Sequence, residues 1–151
     1  MGKYRILVDS STKSKEGKYM VGPSTAAWLT YLNKRILCYG LIYFDYNGPN
    51  KAFYEGIIAA LVQLDRDHFN PAGVDEIEVF GDCTPVIDQI NNKRRVKKMK
   101  RHLDYVKKFI NQHPNVQFKF SYLNEDNKHY KKVDKMTKEG SLCINKIIDK
   151  N

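Results

Sequence analysis

Between Tyr4 and Phe44 the chain offers three strand patterns in a row and no helical one, and only afterwards do helical and strand patterns alternate. Tyr4 to Ser10 (YRILVDS) is aliphatic or β-branched on both faces, as expected of a strand buried in the middle of a sheet. Thr25 to Leu32 (TAAWLTYL) and Arg35 to Phe44 (RILCYGLIYF) have the β-branched and aromatic content of strands, and the Asn33-Lys34 link between them has room only for a tight turn. Three successive antiparallel strands result. The polar stretch Ser11 to Pro23, punctuated by Gly17, Gly22 and Pro23, reads as a loop or a loosely ordered hairpin arm.

Asn47-Gly48-Pro49-Asn50 ends the strand pattern, and Asn50 is the expected N-cap of a helix from Lys51 to about Asp65. Phe53, Ile57, Leu61 and Leu64 fall at helical spacing, and Glu55 shares a second stripe with Ile58, Ala59 and Val62, which points it near the core. Glu76 to Phe80 is a fourth strand ending at Gly81-Asp82, and Thr84-Pro85 opens a helix through Ile90 with Pro at a tolerated early position. A strand, a Gly-Asp corner and a helix in succession mark an α/β fold. From Arg95 to Asn111, Val96, Met99, Leu103, Val106 and Ile110 recur every three or four residues among Lys97, Lys98, Lys100, Arg101, Lys107 and Lys108, predicting an amphipathic helix with a basic outer face. His113-Pro114 ends it; Val116 to Tyr122 alternates as a fifth strand, and a last helix contains Val133, Asp134 and Met136. The expected architecture is a single α/β domain over residues 1–151: a five-stranded mixed sheet, three antiparallel strands followed by two parallel additions, flanked by helices.

Charge narrows the partners. Among 151 residues, 26 Lys and Arg face 17 Asp and Glu, a net +9 that favours anionic partners such as nucleic acid. No stretch approaches the roughly 20 apolar residues that cross a bilayer, and Lys3 and Arg5 lie inside a strand pattern instead of a leader, so the expectation is a cytoplasmic protein with no membrane partner. Cys38, Cys83 and Cys143 are odd in number, widely separated and without metal-ligand spacing, so neither a zinc site nor a disulfide framework is expected, which fits a reducing compartment.

Four acids sit where solvation is doubtful: Asp9 on a hydrophobic strand, Glu55 on a helix with two apolar stripes, Asp82 at a strand end, and Asp134 between Val133 and Met136. Each has an ordinary reading, since Asp9 and Asp82 suit strand ends or turns, Glu55 a solvated helix position, and Asp134 a pairing with Lys131 or Lys138. Placed together they read differently. Where the first and fourth strands are parallel neighbours, both strand ends and the first helix converge on one point, and carboxylates brought together near a core call for a compensating cation. Oxygen ligands suit Mg²⁺ or Mn²⁺.

At these residues the chain resembles the ribonuclease H family, in particular its reverse-transcriptase-like branch, from Tyr4 to about Gly140 and in element order as well as motifs. The family's first-strand Asp is matched by Asp9 in LVDSST, its first-helix Glu by Glu55 in NKAFYEGIIAAL, its fourth-strand Asp by Asp82 in EVFGDCTPVIDQI, and its last-helix Asp by Asp134 in KKVDKMTKEG. The chain departs from the pattern at Ser10, where members often have Gly, and at Tyr130, where they often have Asn. The mobile-loop His or Arg ahead of the final helix is also not in place: Asn124 stands ten residues before Asp134, with His129 nearby as a substitute or as an ordinary residue at a helix start.

The resemblance implies that Asp9, Glu55, Asp82 and Asp134 bind two Mg²⁺ or Mn²⁺ ions about 4 Å apart, one activating water and the other stabilising the leaving 3′ oxygen. It further implies a monomeric endonuclease that hydrolyses the RNA strand of RNA/DNA hybrids, chosen by 2′-hydroxyl contacts and hybrid shape. Ser10 and Ser11 are candidates for such hydrogen bonds and equally for turn formers. Lys93, Arg94, Arg95, Lys97, Lys98, Lys100 and Arg101 are the candidate phosphate contacts, a density of like charge that repels itself without an anionic partner. Two other readings stay open: a related nuclease acting on another nucleic acid, and a nucleic-acid-binding module of the same fold without turnover. Trp28 and the tyrosines suit either stacking on nucleic acid or core packing.

Overall fold

The structure, a computed structural model, describes residues 2–12, 22–68, 74–123 and 127–139. Three strands come first, β1 (Gly2–Thr12), β2 (Gly22–Leu32) and β3 (Arg35–Asn47), followed by α1 (Pro49–Gln63), which runs into one π-helical turn at Leu64–His68. Then come β4 (Val74–Gly81), α2 (Thr84–Ile90), α3 (Lys100–Asn111), β5 (Gln117–Tyr122) and α4 (Lys128–Glu139). The expected order of elements holds throughout the described residues. Most of the stretch expected as a loop between β1 and β2, along with Asn124 and Cys143, lies outside them.

One five-stranded sheet has the order β3-β2-β1-β4-β5. The β1/β2 and β2/β3 pairs are antiparallel, whereas β1/β4 and β4/β5 are parallel. The β2–β3 hairpin closes through Asn33-Lys34, with Asn33 at φ 56°, a left-handed conformation that Asn tolerates better than most residues. β1 is central, and its alternation divides the protein. Tyr4, Ile6 and Val8 face a core with Phe53, Tyr54, Ile57, Leu61, Val86, Ile87, Val106 and Phe109, supplied by α1, α2 and α3. Leu7 faces the other way, into a smaller core with Ala27, Leu29, Leu123, Val133 and Met136, where α4 packs. Trp28 belongs to the larger core, its indole N–H donating to Gln63 Oε1 at 2.8 Å, so packing is its role.

Three local expectations are corrected. α1 begins at Pro49 with Gly48 as N-cap, because proline's fixed φ suits the first helical position; Asn50 therefore sits inside the helix, where its Oδ1 accepts from the Cys83 thiol at 3.2 Å. α3 begins at Lys100, five residues later than its apolar spacing predicts. Residues 91–99 form turns and bends instead, because Arg94, Arg95, Lys97, Lys98, Lys100 and Arg101 would repel one another at helical spacing and crowd the positive end of the helix dipole, with no capping side chain at Met99. Lys107 leaves the basic face: its ammonium donates to the Ile90 carbonyl and Asn92 Oδ1, both at 3.0 Å, closing the C-terminal end of α2.

Candidate active site

The β1/β4 register pairs Leu7 with Phe80, so Asp9 and Asp82, each two residues further on, leave the sheet at the same level and on the same face as Leu7 and Phe80. That face carries α4. Val133 and Met136 seat the helix on β1 and β2, and this holds Asp134 and Thr137 over Asp9. The Thr137 hydroxyl donates to the Asp134 carbonyl at 2.7 Å and lies 3.3 Å from Asp9 Oδ2. Asp9 is only 2% exposed. Burial, then the Asp82 charge, then a hydrogen bond to and the charge of Asp134 push its carboxyl up to about 8, against a weaker pull from the Ser10 backbone. Three of the four predicted acids are therefore brought into one electrostatic cluster.

Glu55 is placed differently. α1 lies on the opposite face of the sheet, close enough at Gly56 that an added Cβ would stand 2.9 Å from the Val8 side chain. Glu55, one residue before, is partly exposed, and its Oε1 is 2.8 Å from His102 Nε2 in the first turn of α3. Its carboxylate is thus engaged by an imidazole instead of by the other three acids. Asp82 also has a partner, the Tyr130 hydroxyl, which donates to its Oδ2 at 3.0 Å. Burial, followed by the charges of Asp9 and Asp82, holds the Tyr130 phenol well above its ordinary range, so it remains a donor. Tyr130 and His102 are the functional neighbours that sequence reading missed. Tyr130 stood out there only as a departure from the family pattern, and the basic helix pattern gave no reason to single out His102.

The donor set fits a hard divalent cation. It is all carboxylate oxygen, and the neighbouring Cys83 stays a thiol, pushed up to about 11 chiefly by burial, which outweighs the lowering hydrogen bond to the Val86 backbone, with smaller help from Asp82 and Asp9. A cation is also what would relieve the repulsion that raises Asp9. Among the described residues no group of three or more acids, imidazoles or thiols is closed around one point, and Glu55 and Asp82 each hold a partner of their own. Each of these contacts uses one carboxylate oxygen, Oε1 of Glu55 and Oδ2 of Asp82, so an ion held by the full set would share these carboxylates with His102 and Tyr130.

The other candidates are spread around this centre. The Ser10 hydroxyl donates to the Pro49 carbonyl at 3.4 Å, tying β1 to the start of α1, and Ser11 is half-buried in β1 opposite Thr25. Lys93, Arg94, Arg95, Lys97, Lys98, Lys100 and Arg101 are all exposed, the first five in the irregular segment and the last two in the first turn of α3. A groove of about 830 Å³ runs between Pro49 and Asn50 of α1, Gln89 of α2 and the cations Arg95, Lys97 and Lys98. It opens beside the acids, because Pro49 meets Ser10 and Asn50 meets Cys83. His129 is not at this centre. It packs on Tyr31, with its Nδ1 2.9 Å from the Tyr31 hydroxyl, level with Arg5 and four residues back along β1 from Asp9. Cys38 and Cys83 are free thiols.

The profile of the reverse transcriptase-like family matches residues 24–136. No curated protein sequence matches the chain. Among solved structures, the N-terminal ribonuclease H domain of a Mycobacterium tuberculosis protein, fused to maltose-binding protein, superposes with a TM-score of 0.75 at 16% identity, covering 97% of this chain and 96% of that one. LC11 ribonuclease H1, isolated from compost and solved in complex with an RNA/DNA hybrid, gives 0.75 at 19% identity over 97% of this chain and 99% of its own. Ribonuclease H1 of the halophilic archaeon Halobacterium salinarum gives 0.68 at 19% identity, covering 91% and 96%. At these identities the structural likeness is one of fold.

Proposed function

Since the chain belongs to the reverse-transcriptase-like branch of the ribonuclease H family, we propose that it is an endonuclease that hydrolyses the RNA strand of RNA/DNA hybrids, with Asp9, Glu55, Asp82 and Asp134 as ligands of two Mg²⁺ or Mn²⁺ ions. The observation that carries this reading is the convergence of Asp9, Asp82 and Asp134 from β1, β4 and α4 into one cluster, in which burial first and the neighbouring acids second raise the Asp9 carboxyl to about 8. Divalent ions bound there supply charge neutralisation at the phosphate and a hydroxide nucleophile at neutral pH. The protein's own part is positional. The shared level of β1 and β4 holds two carboxylates side by side, α4 sets the third over them, and the Thr137 hydroxyl ties Asp9 to the backbone beside Asp134. The groove rimmed by Arg95, Lys97 and Lys98 leads from these acids and suits a sugar-phosphate backbone. Lys93, Arg94, Lys100 and Arg101 extend its positive field, and Ser10 and Ser11, which follow Asp9 on β1, are the candidates for 2′-hydroxyl contacts. The reading is of a monomer acting in a reducing cytoplasm, as its free thiols suit.

A second reading has its own support. Glu55 on His102 and Asp82 on Tyr130 describe a site whose ligands are partly satisfied internally, as a binding module without turnover would have them. Incubation with a labelled RNA/DNA hybrid, duplex RNA, duplex DNA and single-stranded RNA in Mg²⁺ or Mn²⁺ separates the two. Cuts confined to the RNA strand of the hybrid are expected; cuts in another substrate redirect the assignment to a related nuclease, and binding without cuts leaves the module.

A further inference from the structure

On the α4 face of the sheet, behind the acids, lies a hollow of about 420 Å³. Its floor is apolar, formed by Leu7 of β1, Phe80 of β4 and Leu123 after β5. Its rim is cationic: Arg5 of β1, Lys34 of the β2–β3 turn, and Lys128 and His129 at the start of α4. Among the described residues none of these cations forms a salt bridge, although Glu78 stands opposite Arg5 in the β1/β4 register. Glu78, which also lines the hollow, is committed elsewhere, with Oε1 3.2 Å from Lys3 Nζ and Oε2 accepting from the Ser121 hydroxyl at 3.0 Å. Lys132, one helical turn on from Lys128, has its ammonium nitrogen buried with no hydrogen-bond partner among the described residues. Lys132 does not itself line the hollow, but its charge adds to those of Lys128 and Arg5 at His129, and an anion drawn into the hollow would offset this crowding of cations.

Crowding shows at His129 as well. Burial, then Lys128, Lys132 and Arg5, hold its imidazole below the ordinary range, and its Nδ1 shares a hydrogen bond with the Tyr31 hydroxyl at 2.9 Å. Guanidinium, ammonium and imidazole donors around an apolar floor suit a ligand that joins a phosphate to a flat ring. The volume is that of a small-ligand pocket. Arg5 stands four residues before Asp9 along β1, on the order of 13 Å away, so the cationic rim is set apart from the acids, while the floor residues Leu7 and Phe80 lie two residues before Asp9 and Asp82. The basic segment of residues 93–101 borders the groove beside α1 and α2 instead.

We propose that this hollow binds a phosphate monoester carried on a planar base, the chemistry of a nucleotide, either free or as the phosphorylated end of a strand. The proposal is independent of the hydrolytic reading. It is tested by equilibrium dialysis of the full chain in EDTA at low salt, with adenosine 5′-monophosphate, adenosine, inorganic phosphate and a 5′-phosphorylated trinucleotide as probes. The monophosphate is expected to bind with a Kd of about 10–300 μM, with adenosine and phosphate each at least about tenfold weaker. Arg5→Gln combined with Lys128→Gln should weaken it at least about tenfold, and Lys34→Gln alone about threefold, while Lys97→Gln with Lys98→Gln leaves it within about twofold. Arg5, Lys34 and Lys128 are exposed, so their replacement spares the core, and an unchanged melting temperature verifies this. Tighter binding of the trinucleotide than of the monophosphate assigns the site to a strand end, and weaker binding to a free nucleotide; both support the proposal. It is overturned if the monophosphate does not bind, if adenosine binds as tightly, or if affinity falls with Lys97 and Lys98 but not with Arg5 and Lys128.

Discussion

Replacing Asp9 by Asn converts the electrostatic cluster into a measurable stability. In the folded, metal-free protein Asp9 is raised from an ordinary 3.8 to about 8, so between those values the unfolded chain has lost a proton that the folded chain keeps. A carboxyl raised on folding contributes stability that is complete below its unfolded pKa and lost as pH climbs through its folded one. Asn mimics the protonated acid, with one acceptor for Thr137 or the Ser10 N–H and a donor for Asp134, and carries no such dependence. Four pH units of linkage correspond to about 6 kcal/mol at most. Relaxation and water entry around a buried charge reduce this, so an advantage of about 2–4 kcal/mol for Asp9→Asn at about pH 8.5 is expected, shrinking to nearly nothing at about pH 3. Urea unfolding of both proteins in EDTA across this range gives the difference directly. Adding Mg²⁺ should stabilise the wild type and barely move the variant. A gap that stays flat with pH, or an Asn variant less stable at the alkaline end, would refute the picture of a repelled, buried Asp9.

Asp82→Asn should lower hybrid cleavage by at least about 100-fold while the melting temperature holds or rises, as measured by single-turnover cleavage and calorimetry. Neutralising Lys97, Lys98 and Arg101 together should flatten the plot of log affinity against log salt by about 2–3 units, read from hybrid binding at several salt concentrations; an unchanged slope removes these residues from the interface. Tyr130→Phe frees Asp82 from its hydroxyl partner and should raise apparent Mg²⁺ affinity about two- to fivefold in a metal titration, whereas a merely structural tyrosine would change only the melting temperature. Gly81→Ala places a methyl 1.9 Å from the buried Phe53 ring and should destabilise the fold by about 1–3 kcal/mol, with loss of activity if the ring shift carries Asp82 with it.

The strands were legible because their residues are extreme: YRILVDS and EIEVF have no helical stripe, and the Asn33-Lys34 turn starts the β2–β3 pairing at Leu32 and Arg35, the register then shifting between Thr30 and Tyr31. Asp9 and Asp82 were legible for the same reason, as charges at the ends of buried strands, and the parallel β1/β4 pairing brings them level. Glu55 was expected near the core and is partly exposed; its partner belongs to α3, about 50 residues away, and no local pattern encodes which side chain crosses that distance. The late start of α3 was missed because hydrophobic spacing takes no account of like charges: Val96 and Met99 keep the period while the cations around them oppose the helix. His129 was a choice between two roles that only packing decides, and Tyr31 decides it.

The parallel pairing of β1 with β4 also makes the chain's tolerance of length changes lopsided. Extra residues ahead of Val74 lengthen a connection and leave the paired strands as they are. A single residue inserted between Phe80 and Asp82 would swing the second acid through half a pleat, toward the ring of Phe53 and away from its companion. Natural insertions and deletions among related chains should therefore collect before this strand and be purged from its last three positions.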